Sequence, residues 1–180
     1  MPSTTEERVR QALRKLVGLE LTATARSADL RGFHFGELRP YRDRTVGELA
    51  LHIQCAWRIE GSGGVLTGRS DLWQPALNLW GADFERWDHE RDGNLQDKRI
   101  AEWLGHHDPR PGVCLEAEFR PVVLAARAMP FGGAEIDFSG GCRLTLFPAG
   151  SAGEDWRLFQ PGDDDAPHFV VAGGRVAEAE

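Results

Sequence analysis

The sequence predicts an α+β fold with a largely antiparallel, curved or partly closed β-sheet, an N-terminal helix and one or two further short helices. Helical spacing of apolar residues is confined to residues 4–17 and to short stretches after residue 75. Over most of 19–72 and 113–172, short alternating or apolar runs are separated by Gly, Pro and Asp. This pattern predicts about eight or nine strands.

The first element is a helix over residues 4–17. Ser3 or Thr4 can cap it, with Glu6 or Glu7 three residues further on, which is the spacing of a capping box. Gly18 follows the last apolar residue and ends the helix. Its apolar face is formed by Val9, Ala12, Leu13, Leu16 and Val17.

Strand periodicity begins at residue 19. Residues 19–26 and 30–38 predict a β-hairpin. In "LALHIQCAWRI", residues 49–59, every odd-numbered position is apolar, which predicts one continuous strand. Cys55 then points into the core, whereas His52 points to the opposite face with Gln54 and Arg58. A turn at 60–64 should bring residues 65–72 back to pair with this strand.

Two helical stretches and a series of strands complete the predicted domain, which spans 1–180 with a β-rich body over 19–172. Pro75 can open a helix with Leu77, Trp80, Phe84 and Trp87 on one face. Residues 95–104 form a second helix, capped by Asn94 and ended by Gly105. The tail, 173–180, is expected to fray. The later strands are predicted at 113–119, 122–129, 134–138, 142–147, 155–160 and 168–172.

Composition excludes several classes of function. The net charge is −7 and the chain has no run of basic residues, which argues against nucleic-acid binding. No stretch approaches the roughly 18 apolar residues of a membrane span, and the N-terminus lacks the apolar region of a signal peptide, so we expect a cytoplasmic protein. The three widely spaced cysteines are then expected to be free thiols.

Two segments carry a resemblance to other proteins. "ALHIQCAWRIEG…GVLTGRSDLW" and "CRLTLFPAGSAGEDWRLFQPG…PHFVVAGG" resemble a group of uncharacterised proteins of similar length from high-GC bacteria. That group has no established activity. The resemblance therefore implies one bacterial domain of this length and no catalytic residues.

No motif predicts a metal or a cofactor. "HHD" at 106–108 and "DHE" at 88–90 have suitable ligand types, but their spacing does not match a zinc signature. "DDD" at 163–165 lacks the Gly and the distal Glu of a calcium loop. The sequence therefore predicts neither a metal site nor a bound cofactor.

The aromatic stretch that begins at Trp73 is the main candidate for a binding surface. Trp73, Trp80 and Trp87 lie within fifteen residues and are followed by His89. Tryptophan is enriched in binding hot spots because it combines a large apolar area with a polar N–H. The alternative is that the stretch covers an open face of the sheet as core. We expect Leu77 and Phe84 to be core and at least one of the three tryptophans to stay partly exposed.

The sequence thus favours a non-catalytic binding or accessory protein for a protein partner or a small ligand, with a homodimer as a further arrangement. Its predicted binding residues are Trp73, Trp80, Trp87, His89, His52 and Arg58. The alternative is a small enzyme with an acid/base site on the His52 face, using His52, His89 or Glu48. A deep cavity that brings ionisable side chains together would favour the enzyme, and a shallow aromatic patch would favour the binding protein.

Overall fold

A computed structural model describes residues 4–106, 115–163 and 165–177. It confirms the α+β class, with 42% strand and 20% helix. The α-helices are α1 (Thr5–Leu13), α2 (Ala82–Glu85) and α3 (Leu95–Trp103). Short 3-10 helices occupy Arg14–Leu16, Arg69–Trp73 and Pro130–Gly132. The strands are β1 (Leu21–Ser27), β2 (Leu30–Phe35), β3 (Arg39–Tyr41), β4 (Arg44–Val46), β5 (Leu49–Ile53), β6 (Ala56–Gly61), β7 (Gly64–Gly68), β8 (Leu115–Glu116), β9 (Val123–Ala128), β10 (Ala134–Phe138), β11 (Arg143–Phe147), β12 (Glu154–Phe159), β13 (Phe169–Ala172) and β14 (Arg175–Val176).

The strands form two main antiparallel sheets and not the single sheet of eight or nine strands that the pattern predicted. A seven-stranded sheet has the order β14-β13-β12-β5-β2-β1-β8, and a five-stranded sheet has the order β7-β6-β11-β10-β9. Strands β3 and β4 pair only with each other, as a separate hairpin. No helix among the described residues is long and apolar enough to cross a membrane.

The predicted single strand over 49–59 is wrong, because the chain changes sheets within it. Strand β5 pairs with β2 and β12 in the seven-stranded sheet, and β6 pairs with β7 and β11 in the five-stranded sheet. At the break, the N–H groups of Gln54 and Cys55 both donate to the carbonyl of Asp155, at 2.8 and 2.9 Å. Two successive donors on one carbonyl interrupt the strand ladder and turn the chain toward the other sheet.

The inner faces of both sheets contribute to one hydrophobic core. The seven-stranded sheet provides Phe33, Phe35, Leu51, Ile53, Trp156 and Leu158. The five-stranded sheet provides Trp57, Ile59, Ile136, Phe138, Leu144 and Leu146. Helix α1 and the 3-10 helix after it add Val9, Leu13 and Leu16, which are fully buried. Helix α3 and its C-cap residue add Ile100 and Leu104. The capping box predicted for α1 is present, between Thr4 and Glu7.

A buried polar network joins α3 to the seven-stranded sheet. The carboxylate of Asp97 accepts a hydrogen bond from Arg26 Nε at 3.0 Å and also forms an ion pair with Arg31. All three side chains are buried. Gln96 accepts from Arg31 and donates to the carbonyl of Gly68. Asn94 caps α3, as predicted, by accepting from the N–H of Asp97. Burial by itself would raise the pKa of Asp97, but Arg31 and Arg26 hold it below its usual range.

Other elements differ from their predictions. The strand predicted over 65–72 ends at Gly68, where Asp71 caps a 3-10 helix by accepting from the Gly68 N–H. The helix predicted to begin at Pro75 is reduced to Ala82–Glu85. Pro75 instead pairs with Asn94 in a β-bridge, and Gly81 has a positive φ of 56°. Arg175–Val176, placed in a frayed tail, forms β14 against β13. The hairpin of β3 and β4 had no sequence prediction.

Candidate functional site

The outer face of the seven-stranded sheet carries a cavity of about 650 Å³. Strands β1, β2, β5 and β12 form its floor and the β3–β4 hairpin forms a wall. A volume of this size accommodates a small organic molecule. Its lining residues are Ala25, Arg26, Ser27, Leu30, His34, Asp43, Arg44, Thr45, Val46, His52, Glu116, Phe159 and Pro161.

Strand register places two histidines beside each other on this floor. His52 pairs across strands with Gly32 and with Arg157, and His34 pairs with Ala50 and Ala23. Because Gly32 and Ala50 lie on the same two strands, His34 and His52 are diagonal neighbours. Each ring is flanked by glycine or alanine, which leaves open space above the strands.

His34 is held by the segment that leaves the hairpin. Its Nδ1 accepts a hydrogen bond from the Gly47 N–H at 3.1 Å. A Cβ at Gly47 would lie 2.7 Å from the carbonyl oxygen of Phe35, so only glycine allows this close approach. With Nδ1 as the acceptor, the neutral ring carries its proton on Nε2. His34 is 6% exposed and lines the cavity, yet its Nε2 has no partner among the described residues.

His52 is held by packing and not by hydrogen bonds. Its ring lies over Gly32, where an added Cβ would come within 3.2 Å of Cδ2. The rings of His52 and Phe159 pack edge to face with a centroid distance of 4.7 Å, and the centroids of Phe159 and His168 are also 4.7 Å apart. Neither ring nitrogen of His52 has a hydrogen-bond partner within the part of the chain that the structure describes.

Both imidazoles are neutral at pH 7. Burial, together with smaller contributions from His52 and Arg44, lowers the pKa of His34 from 6.5 to about 4. Burial also lowers the pKa of His52 from 6.5 to about 4, where Arg157 and Arg44 add to the effect and Glu154 opposes it. The two rings therefore act at neutral pH as hydrogen-bonding groups and not as cations.

The lining also contains charged side chains of both signs. Arg26 is already paired with Asp97, as part of the buried network. The guanidinium of Arg44 has no ion pair or hydrogen bond among the described residues. Asp43 and Glu116 are exposed at the cavity and likewise have no salt bridge to a described residue.

The predicted aromatic surface lies elsewhere, in a loop that we call the aromatic loop, residues 73–93. Its neck is closed by the Pro75–Asn94 bridge and by a 2.8 Å bond from the Leu95 N–H to the Gln74 carbonyl. Trp73 and Trp80 are 49% and 82% exposed, which confirms that at least one of the three tryptophans remains accessible. The expectation that Leu77 and Phe84 are core is wrong, since they are 70% and 46% exposed.

Trp87 and His89 support the loop from within. The Trp87 indole N–H donates to the carbonyl of Gly93 at 2.7 Å, and its ring stacks with Phe84 at 6.2 Å. His89 packs against Trp73 with a centroid distance of 4.5 Å. The structure therefore brings Trp73, Trp87 and His89 together, but it does not bring any of them to His52.

The structure separates the other predicted residues from the cavity. Arg58 was expected on the face of His52, but the change of sheet at residues 54–55 places it on the five-stranded sheet, where it pairs with Glu60 and lies over Phe147. Glu48 is exposed beside Gly36, and neither it nor His89 lines the cavity. Cys55 is partly buried against the core, where burial raises the pKa of its thiol to about 12. His106 contacts the carbonyl of Glu116, whereas residues 107–108 lie outside the described residues.

Sequence reasoning missed His34, Arg44 and Glu116. A signal for His34 was available in "LRGFHF", residues 30–35, because Phe33 and Phe35 mark the inner face and leave Gly32 and His34 on the outer one. The pairing of this strand with β5, which places His34 beside His52, could not be read from local periodicity. Arg44 and Glu116 reach the cavity from a hairpin and an edge strand with no strong pattern of their own.

A second cavity, of about 380 Å³, lies between α1 and the end of β12. Arg8, Gln11 and Lys15 line it together with apolar residues such as Leu49 and Phe169. It is smaller, and it contains no buried polar side chain comparable to His34. Among the described residues no group of three or more His, Cys, Asp or Glu side chains is arranged to hold a metal ion. No protein-family model, no curated protein and no solved structure matches the chain.

Proposed function

We propose that this protein binds a small organic molecule, without chemical conversion, in the cavity over His34 and His52. The observation that carries the proposal is the pair of imidazoles that face this cavity without a hydrogen-bond partner among the described residues. These ring nitrogens are accessible from the cavity, because the unpaired side-chain atoms that are fully buried among the described residues are Trp57 Nε1, Arg69 Nε and Thr145 Oγ1. An accessible ring nitrogen that has no protein partner is free to bond to a ligand. A ligand that hydrogen-bonds to the two rings would supply the missing hydrogen-bond partner.

The lining favours binding over catalysis. Among the described residues that line the cavity there is no Cys or Lys, and the side-chain hydroxyls belong to Ser27 and Thr45. A Ser or Thr hydroxyl acts as a nucleophile when it has an adjacent base that is itself oriented by a third group. No described carboxylate hydrogen-bonds to either imidazole, so the cavity lacks that arrangement. With a pKa near 4, each ring is also a poor general acid at neutral pH.

A fragment screen by ligand-observed NMR tests this proposal. Ala25 lines the cavity in the row that contains Gly32 and His52, so Ala25→Leu should fill part of it. The matched control is Ala125→Leu, because Ala125 is also half-buried but lies on the five-stranded sheet, opposite Asp137. We expect fragments that bind the wild type and the control but bind Ala25→Leu at least about tenfold more weakly. Fragments that bind all three equally, or no binding at all, would refute the cavity as the site. Turnover of a bound fragment would favour the alternative of a small enzyme.

A second function is favoured by the exposed side chains of the aromatic loop. Trp80, Leu77 and Trp73 are exposed apolar side chains of this one loop. Exposed apolar patches commonly mark protein interfaces. The loop carries more acidic than basic charge, with only Arg86 and Arg91 as cations. Its acidic residues are Asp83, Glu85, Asp88, Glu90 and Asp92. Charge complementarity therefore favours a partner protein that surrounds an apolar ridge with Lys and Arg.

A synthetic amphipathic helix of Leu and Lys serves as the probe for this second function. Trp80→Ala should weaken its binding by about 1–2 kcal/mol, as for a hot-spot residue, and leave the melting temperature nearly unchanged. The control is Phe131→Ala, because Phe131 is 81% exposed and lies outside the loop. Equal losses in the two variants, or equal binding of a Leu/Glu helix, would contradict a basic partner. Self-association of the wild type through the loop would instead identify a second copy as the occupant.

A further inference from the structure

We infer that the ligand of the cavity is a monoanionic organic acid whose carboxylate binds the guanidinium of Arg44 and the Nε2–H of His34. This inference rests on the proposed ligand-binding function and adds the chemical class of the ligand. It is based on which charged side chains around the two imidazoles already have an ion-pair partner and which do not.

Three arginines lie around the histidines, and two of them are already neutralised. Arg26 pairs with Asp97 at 3.0 Å, and Arg157 donates from Nε to Glu154 at 2.6 Å and makes a second bond to the same carboxylate. Arg44, at the start of β4, lines the cavity and has no such partner among the described residues. Arg44 is exposed and lines the same cavity as His34 and His52. The cavity thus offers one cation whose charge is not used within the described protein.

The donor on His34 complements that cation. Because the Gly47 N–H occupies Nδ1, the ring presents Nε2–H, which is a donor and cannot accept. A guanidinium and a neighbouring N–H donor together suit an acceptor that has two oxygens and a negative charge. A neutral amide or alcohol would form no ion pair with Arg44.

The acidic side chains of the lining oppose the binding of any anion, and that of a dianion most strongly. Asp43 and Glu116 both line the cavity and carry no salt bridge to a described residue. They would repel a dianion such as a phosphate monoester more strongly than a carboxylate. The remaining lining includes Leu30, Val46, Phe159 and Pro161, which suit a hydrocarbon or aromatic group attached to the acid.

Three probes with the same aromatic group test the inference: phenylacetate, phenylacetamide and phenyl phosphate. We expect phenylacetate to bind the wild type at least about tenfold more tightly than either of the others when measured by isothermal titration calorimetry. Arg44→Gln should remove that preference by weakening phenylacetate about tenfold and leaving phenylacetamide unchanged. The control is Arg42→Gln, because Arg42 lies in the same turn but stacks on Tyr41 at 5.0 Å and does not line the cavity. It should retain the wild-type preference.

The possible failures are distinguishable from failure of the proposed function. Equal affinity for phenylacetate and phenylacetamide, tighter binding of phenyl phosphate, or an unchanged preference in Arg44→Gln would overturn the inference. If none of the three probes binds, but neutral fragments bind the wild type and not Ala25→Leu, the inference fails and the ligand-binding function stands. If no fragment depends on Ala25, both fail.

Discussion

At the scale of single residues, we expect the buried carboxylate of Asp97 to contribute more to stability than the exposed ion pairs of the described residues. It faces Arg26 and Arg31 in a region closed to solvent. Removal of one partner from a buried pair leaves an uncompensated charge, whereas the loss of an exposed pair changes little. Asp97 also anchors the first turn of α3 through Asn94.

Asp97→Ala is therefore expected to lower the free energy of unfolding by about 3–5 kcal/mol. The measurement is urea denaturation at pH 7. Asp29→Ala is the control, because Asp29 forms an exposed pair with Arg69 and its loss should cost less than about 1 kcal/mol. Similar losses in the two variants would show that the buried network does not have the stabilising role assigned to it.

Cys55 provides a prediction about reactivity. Burial raises the pKa of its thiol to about 12, and the charge of Asp155 adds to that effect. Since the thiolate is the reactive form, Cys55 in the folded protein should react with iodoacetamide at pH 8 at least about tenfold more slowly than in urea. Peptide mapping by mass spectrometry measures this. Rapid alkylation of Cys55 in the folded chain would contradict its inert position and reopen a nucleophilic role.

At the scale of elements, the segment that leaves the β3–β4 hairpin controls His34. Gly47 approaches β2 so closely that a Cβ would lie 2.9 Å from the Phe35 nitrogen and 3.0 Å from the His34 Cβ. Gly47→Ala must therefore shift the hairpin or the strand, and the hydrogen bond to His34 Nδ1 weakens with it.

We expect Gly47→Ala to lose about 1–3 kcal/mol of stability and to weaken ligand binding. Gly63→Ala is the matched control, because an added Cβ at Gly63 meets nothing within 4 Å. Thermal denaturation together with fragment binding measures both effects. Wild-type binding in Gly47→Ala would mean that the hairpin does not position His34 for the ligand.

The elements also show how far local pattern predicts this fold. The capping box of α1, the Asn94 cap of α3 and the β1–β2 hairpin were predictable because each depends on residues close in sequence. The break at Gln54 was not, since the alternation of apolar residues continues through it while the hydrogen bonds that cause it come from distant Asp155. The prediction that Leu77 and Phe84 of the aromatic loop are core was wrong for a related reason. Its helical spacing exists, but no described surface packs over Leu77 and Phe84 to bury them.

The candidate site was predictable only in part, for the same physical reason. Periodicity placed His52 on the outer face, and the structure confirms that orientation. The cavity itself depends on the pairing of β2 with β5 and on a hairpin that closes one side, and both are long-range features. Arg58 was assigned to the wrong sheet because its placement depended on the unbroken strand.

At the scale of the whole molecule, the two imidazoles of the cavity, His34 and His52, link stability to pH. The unfolded chain binds a proton at each histidine near pH 6.5, whereas the folded protein does so only near pH 4. Between these values the unfolded state holds more protons, so stability falls as the pH falls from 6.5 to 4. The loss amounts to at most roughly 3 kcal/mol for each imidazole, and to less for His52, which is only partly buried.

The free energy of unfolding measured by urea denaturation from pH 7 to pH 4 should show this decline. His34→Gln and His52→Gln should each make it shallower, and the double variant should be nearly flat over that range. Carboxylates with lowered pKa values, such as Asp97 and Asp137, lose their contribution only at lower pH. A wild-type profile that is flat between pH 6.5 and 4 would contradict the buried, neutral state of the two rings.

The most direct test of the ligand-binding cavity is the side-chain ¹⁵N NMR spectrum of the histidines during titration with a fragment that binds the wild type. His34 is expected to show the Nε2–H form before ligand is added, and the ring resonances of His34 and His52 should shift together and saturate with one dissociation constant. His89, in the aromatic loop, serves as the internal reference and should not move. If the fragment binds while His34 and His52 keep their positions, or if His89 shifts in their place, the cavity is not the binding site.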